Sequence, residues 1–284
     1  IPGTIFGSDS SDAFLLGSIP VIAFYASLYF KAASDEKRPI GALLSIFAVV
    51  VVFWAVFKQN GTALTTWAQY YTNRETPVVA EKITDALKLN ETVTYTKDST
   101  YLLDNQFRKL KTAEGENQKG LSFPAYFQND EVSKLSEGSS KKLISTELFQ
   151  SINPFFVVTL TPLVVAFFSF LRSRKKEPST PAKICWGLFI SALSTLIMVM
   201  AVYACGNGAE KAGTEWLIAS YGIVTIGELF LSPMGLSLVS KLSPTRITAL
   251  MMGGWSLATS LGNKFSGILA TMWDGYDNKA NFFL

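Results

Sequence analysis

The chain has 284 residues, no histidine and only two cysteines. Without histidine, His-ligated metal sites and His-based nucleophilic triads are excluded. The cysteines, Cys185 and Cys205, stand near opposite ends of one apolar run. As a helix that run would hold them about 30 Å apart, so they cannot pair. Each reads as a small buried hydrophobe. The N-terminus lacks the basic n-region and small-residue cleavage site of a signal peptide. Heptads, phosphate-cradling glycine loops and metal-ligand spacings are also missing, and no nucleophile–base pair or cofactor motif is found. An enzyme is therefore not expected, nor is a resident cofactor.

What the chain has in excess is apolar length. It is 49% hydrophobic, and the hydrophobic residues gather into runs of some 20. Runs of that length match the hydrocarbon thickness of a bilayer. A soluble core would break them with polar helix faces. Six segments stand out, at 13–33, 39–60, 148–171, 182–205, 215–240 and 246–273. The second continues as an amphipathic pattern to Thr72. The expected fold is an all-α polytopic membrane protein.

Net charge is only +3, but its distribution carries information. The connections "KAASDEKRP", "RSRKKEPSTPAK" and "KLSPTR" are basic, whereas "GNGAEKAGTE" holds one lysine. Lys/Arg excess marks the cytoplasmic side, so 34–38, 172–181 and 241–246 are expected there. Residues 1–12 then form an extracytoplasmic loop, and 73–147 a polar extracytoplasmic insert. Long loops cross regardless of charge. Within the insert, "ETVTYTKDSTYLL" alternates weakly like a strand, and partly β or 3₁₀ structure is expected. Asn90-Glu91-Thr92 fits a glycosylation acceptor, a triplet common by chance. The ending "NKANFFL" resembles the first turn of another span, so the chain reads as a fragment of a larger membrane protein.

Polar groups inside such runs are costly. An acidic residue at a spanning-helix centre carries a penalty of about 2.5–3.5 kcal/mol even on insertion scales. Glu228 in "GELFLSPMG" sits near the middle of its segment, too short to snorkel, and must face protein or a water-filled cavity. Ser232 lies one turn on, on the same face. Pro233 cannot donate to the Leu229 carbonyl and is expected to weaken the helix there. Opened backbone at the midplane is what transporters use to line substrate sites. A protonated Glu228 bonded to a neighbouring helix is the structural alternative. Asn153, in "SINPFFVVTLTP", fits either a polar site residue or an N-cap at the membrane edge. Trp54, Phe57, Lys58 and Gly61 share one face at spacings of three and four. Trp54 fits core, interfacial belt or cavity, and Lys58 fits the outer surface equally well. Segment six repeats small residues at Ala258, Gly262 and Ser266, a close-packing signature. Trp255 is its large exception, and Lys264 is expected to snorkel outward.

These motifs resemble a known family. "GELFLSPMGLSLVSKLSP" followed by "MMGGWSLATSLGN" resembles the tenth and eleventh transmembrane helices of the proton-dependent oligopeptide transporter (POT/PTR) family of the major facilitator superfamily. "QSINPFFVVTLTPLVV" resembles its eighth helix and "FWAVFKQNGTALTTWA" its seventh, all in the correct order. Segment 13–33 resembles the second of two extra helices that bacterial members carry between their six-helix halves. The resemblance implies half of a major-facilitator-type bundle, with 39–72 as the seventh helix and 148–284 as the eighth to eleventh plus the start of the twelfth.

The resemblance also implies roles. Glu228 matches the acidic residue that pairs with a peptide's amino group, and Asn153 an asparagine at the same end. Trp54 and Trp255 match cavity tryptophans, Ser232 a polar wall residue and Phe57 an aromatic one. Lys58 stands where many relatives have glutamate, reversing one cavity charge. The insert at 73–147 has no counterpart in compact bacterial members. The implied activity is proton-coupled symport of di- and tripeptides across the cytoplasmic (inner) membrane by alternating access, with protons as coupling ion. The implied partners are the peptide, the lipid bilayer and a missing N-terminal six-helix half; no nucleic acid is expected. A carrier of nitrate or another small anion, motivated by Lys58, and a membrane scaffold subunit, motivated by the insert, are the alternatives.

Overall fold

The computed structural model describes residues 5, 9–77, 81–128 and 136–284. Most of the chain is helical. In order come α1 (Asp9–Lys31), α2 (Ser34–Phe57), a 3₁₀ turn at Lys58–Gly61, α3 (Ala63–Tyr70) and α4 (Glu81–Ala86). After them come β1 (Asn90–Thr94), β2 (Asp98–Tyr101), β3 (Lys119–Ser122) and β4 (Ser140–Ile144). The long helices resume with α5 (Thr146–Ser173), α6 (Thr180–Ala204), α7 (Thr214–Leu242) and α8 (Thr248–Thr271), followed by the short α9 (Ala280–Phe283).

Among the described residues, five stretches are long and apolar enough to cross a membrane: α1, Ser34–Tyr70, α5, α6 and α7. The sixth expected segment, α8, has the length, at 24 residues, but is not one of the five. Its glycines, serines and threonines lower its hydropathy. Gly254 and Gly262 serve packing against α2 instead.

Several boundaries differ from expectation. The 1–12 loop is already helical from Asp9; Ile5 lies in a turn, and residues 1–4 and 6–8 lie outside the described residues. Asp9 and Asp12 occupy the first turn of α1, where the positive end of the helix dipole favours them. The expected cytoplasmic loop 34–38 is the first turn of α2, with Asp35 and Glu36 there for the same reason. Helix α5 starts at Thr146, so Asn153 stands inside it and is not an N-cap. Helix α7 runs unbroken through Pro233, where a local weakening was expected.

The chain divides into two compact units. The first comprises Ile1–Thr62, Val157–Leu193 and Ile223–Met272. Its core is an α2 stripe, Ile40, Leu43, Phe47, Val50, Phe53 and Phe57, recurring at three- and four-residue intervals. Opposite lie Met251, Trp255 and Ala258 of α8. Small residues let these helices approach. A Cβ on Gly254 would fall 2.6 Å from the Phe47 ring, and one on Gly262 would fall 2.5 Å from the Trp54 Cβ and 2.7 Å from the Val51 carbonyl oxygen. Helix α1 is tied to α8 where the Tyr25 hydroxyl donates to the Leu250 carbonyl at 2.8 Å. Lys264 is half-buried and donates to the Ser10 hydroxyl at 3.1 Å. Arg246 pairs with Glu36, bringing together two of the three basic connections.

The second unit comprises Ala63–Phe156, Ser194–Gly222 and Trp273–Leu284. Trp67 and Tyr71, stacked at 4.7 Å, sit in a cluster with Phe149, Met198, Val202, Leu217, Tyr221 and Trp273. Free Cys205 is buried there, and Cys185 is exposed in the first unit. The insert is built on β1 paired antiparallel with β4 and, nested between them in sequence, β2 paired antiparallel with β3. The weakly alternating stretch is thus two strands around a turn at 95–97. Arg74, 3% exposed, donates to the Glu91 carboxylate at 2.6 Å and the Ile144 carbonyl at 2.7 Å. The Asn90 amide donates to Thr84 and Asp85 while its oxygen accepts from Thr76. The glycosylation triplet's asparagine is therefore occupied.

Candidate functional site

Glu228 stands at the midpoint of α7 and is half-buried. The residue before it, Gly227, lets α6 close in. A Cβ there would collide with the Ser191 hydroxyl and lie 2.7 Å from the Gly187 carbonyl oxygen. The reciprocal holds at Gly187, whose Cβ would lie 2.8 Å from the Gly227 carbonyl oxygen. Two backbones thus touch beside the carboxylate, which fixes α7 against α6 at this level.

Ser232 and Gly235 follow Glu228 at four and seven residues, on the same helix face. The Ser232 hydroxyl is buried, with no hydrogen-bond partner among the described residues. A buried, unpaired hydroxyl costs about 1–3 kcal/mol, so its position asks for a ligand or water. Gly235 carries the Trp255 ring: an added Cβ would lie within 2.5 Å of its Cζ2 and collide with its outer edge. Trp255 is buried, 6% exposed. The structure thereby brings Glu228, Ser232 and Trp255 to adjoining levels of the α7–α8 pair.

A second group forms at the C-terminal end of α2. The Trp54 and Phe57 rings meet edge to face at 5.2 Å. The Lys58 ammonium lies 5.4 Å from the Trp54 centroid and 5.9 Å from that of Phe57. Lys58 is exposed and pairs with no carboxylate among the described residues. The Trp54 indole N–H is buried with no acceptor among those residues. Both features leave unsatisfied polar chemistry on one face. Asn153 is half-buried on α5 and belongs to the second unit, whereas the other six predicted residues belong to the first.

Two kinds of contributor escaped the sequence reading. Gln59 donates to the carbonyls of Ala55 and Ser266, at 3.3 and 3.2 Å, and accepts from Thr62. It clamps the end of α2 to α8 just after Lys58. The signal was a second polar residue closing an apolar run. Gly227 and Gly235 were visible as letters, but their need for close approach depends on which helix lies opposite.

Comparison with known proteins follows from this geometry. The family model described as POT family (PTR2) matches residues 132–283. A dipeptide and tripeptide permease A from Proteus mirabilis (strain HI4320) is 33% identical over 129 residues, 45% of this chain and 26% of the relative. A di-/tripeptide transporter from Lactococcus lactis subsp. lactis (strain IL1403) is 25% identical over 248 residues, 87% of this chain and 37% of the relative. A crystal structure of a POT family transporter in complex with a thioalcohol conjugated peptide aligns with TM-score 0.64 at 20% identity, over 96% of this chain and 44% of the other. The chain thus spans well under half the length of these proteins.

Proposed function

The chain belongs to the POT family, and we propose that it forms one half of the substrate cavity of a carrier for di- and tripeptides. It is a multi-pass, mostly helical membrane protein, and the family and its relatives are transporters rather than enzymes. The observation that carries the reading is Glu228 at the centre of α7, in register with the buried, unpaired Ser232 hydroxyl and with Trp255 seated on Gly235.

In this reading Glu228 receives the ammonium group of the peptide by a charge-assisted hydrogen bond, about twice as strong as a neutral one. Ser232 forms polar wall, and Trp54, Phe57 and Trp255 shape the space for side chains. Lys58 supplies a fixed cation toward the peptide's carboxylate. Without cargo, a proton on the Glu228 carboxylate lowers the cost of holding it at mid-membrane. Exchange between proton and ammonium then couples occupancy to rocking against an N-terminal six-helix half in the cytoplasmic membrane.

The test is uptake of labelled dialanine into proteoliposomes holding the full-length protein under an inward proton gradient. Glu228→Gln is expected to abolish accumulation above the external concentration while the protein remains monodisperse. Concentrative uptake by that variant at the normal rate overturns the assignment. Lys58 also supports a second reading, carriage of a small anion such as nitrate. Competition separates the two: dipeptides displace dialanine in the first, and nitrate displaces it in the second.

A further inference from the structure

The insert holds a cleft that the transport reading does not use. Its volume is about 190 Å³, and Tyr95, Tyr101, Leu103, Phe123 and Phe127 line it. Tyr95 and Phe123 stack face to face at 4.0 Å, and Phe127 meets Tyr95 edge-on at 5.2 Å. An apolar cavity of about 150 Å³ holds a benzene molecule, so this cleft accommodates one ring-sized group.

The rim is basic. Lys109 and Lys119 lie 4.6 and 5.1 Å from the centroid of Tyr101, and Lys97 lies 5.4 Å from that of Phe123. All three are exposed, and none pairs with a carboxylate among the described residues. Two other lysines of the insert are neutralised: Lys141 pairs with Glu75, and Lys142 with Glu81 and Asp85. Among the described acids near the cleft, Asp104 is paired with Arg108 at 2.7 Å, whereas Asp98 accepts only from the Ser99 amide at 2.7 Å and keeps its charge. Among the described residues, three ammonium groups against the single Asp98 carboxylate leave the field beside the cleft net positive.

We infer that this cleft is a binding site for an aromatic carboxylate, the ring entering between the stacked Tyr95–Phe123 pair and Tyr101 and the carboxylate meeting Lys97, Lys109 and Lys119. The carboxylate could belong to the C-terminal residue of a peptide or to a free aromatic acid. The site lies wholly within the insert and does not depend on the central cavity.

N-acetyl-phenylalanine is the probe, because its blocked amine gives Glu228 nothing to pair with. Saturation-transfer NMR titrations on the detergent-solubilised full chain measure its affinity. Saturable binding is expected, with N-acetyl-phenylalanine amide and N-acetyl-alanine both weaker. The variant combining Lys97→Ala, Lys109→Ala and Lys119→Ala is expected to bind about tenfold more weakly, within the worth of two exposed charge pairs. These are surface positions, so folding is not at stake. Glu228→Gln protein is expected to bind the probe normally, which separates failure of this site from failure of the transport reading. Stronger binding of N-acetyl-alanyl-phenylalanine than of hydrocinnamate supports a peptide end as the ligand, and the reverse order supports a free acid. No saturable binding, equal affinity for acid and amide, or indifference to the lysine variant overturns the proposal.

Discussion

Gly235→Ala adds one methyl group in front of Trp255. The added carbon would lie 2.5 Å from Cζ2 and would overlap the outer ring edge. Carbon atoms rest at about 3.5–4.0 Å, so the ring edge must withdraw by more than 1 Å. The obstacle is the far end of a side chain, so the indole can turn away and α7 need not move. Overpacking of this kind costs about 1–3 kcal/mol. If Trp255 shapes the peptide pocket, about 1.4 kcal/mol of that shift appears as a tenfold rise in KM. Gly262→Ala is the internal contrast. There the added carbon meets the Trp54 Cβ and the Val51 carbonyl oxygen, which are parts of α2 that cannot rotate aside. Its cost should appear in thermal stability. Dialanine uptake kinetics and detergent-phase melting, measured on both variants, separate the effects. Adding Trp255→Phe to Gly235→Ala removes the colliding ring edge together with the indole, so KM should stay raised. Wild-type KM and unshifted tryptophan emission in Gly235→Ala would refute the reasoning.

The remaining expectations concern charge. Glu177 is held down to about 2 by hydrogen bonds from Arg172 and Lys183. A depressed carboxylate stabilises the fold above its unfolded value and loses that contribution as pH falls toward the folded value. The melting difference between wild type and Glu177→Gln should therefore be constant from pH 6 to 8 and vanish between about pH 4.5 and 2. Arg74→Ala strips the Ile144 carbonyl and Glu91 of their donor, at about 1–3 kcal/mol. Limited proteolysis should then cut the insert first while the apolar helices stay protected. Lys58→Glu reverses the charge beside Trp54 and Phe57, and should raise uptake of lysyl dipeptides relative to aspartyl dipeptides, measured by competition against dialanine.

The long helices could be read before any coordinates, because apolar runs near 20 residues have one cheap arrangement in a bilayer. The centre of α7 and its carboxylate were legible for the same reason: position along a span sets the cost of Glu228. So was the small-residue stripe of α8, although its polarity leaves that helix outside the five most apolar stretches. Helix starts were not legible. Asp9, Ser34 and Thr146 begin helices inside polar sequence, where capping and dipole preferences are weak beside tertiary packing. The continuity of α7 through Pro233 was also hidden, since a lost hydrogen bond can be offset by neighbours the sequence does not name.

Chain chemistry alone determined that this protein spans membranes, where its charges gather, and that Glu228 must face protein or water. Tertiary structure alone decided which helix meets which glycine. It placed Trp255 over Gly235, the α6 backbone against Gly227, and three lysines beside the Tyr101 and Phe123 rings of the insert's cleft. The difference is physical. Transfer cost is a property of each residue and its neighbours in sequence, whereas close approach and shared fields arise only between segments brought together by folding.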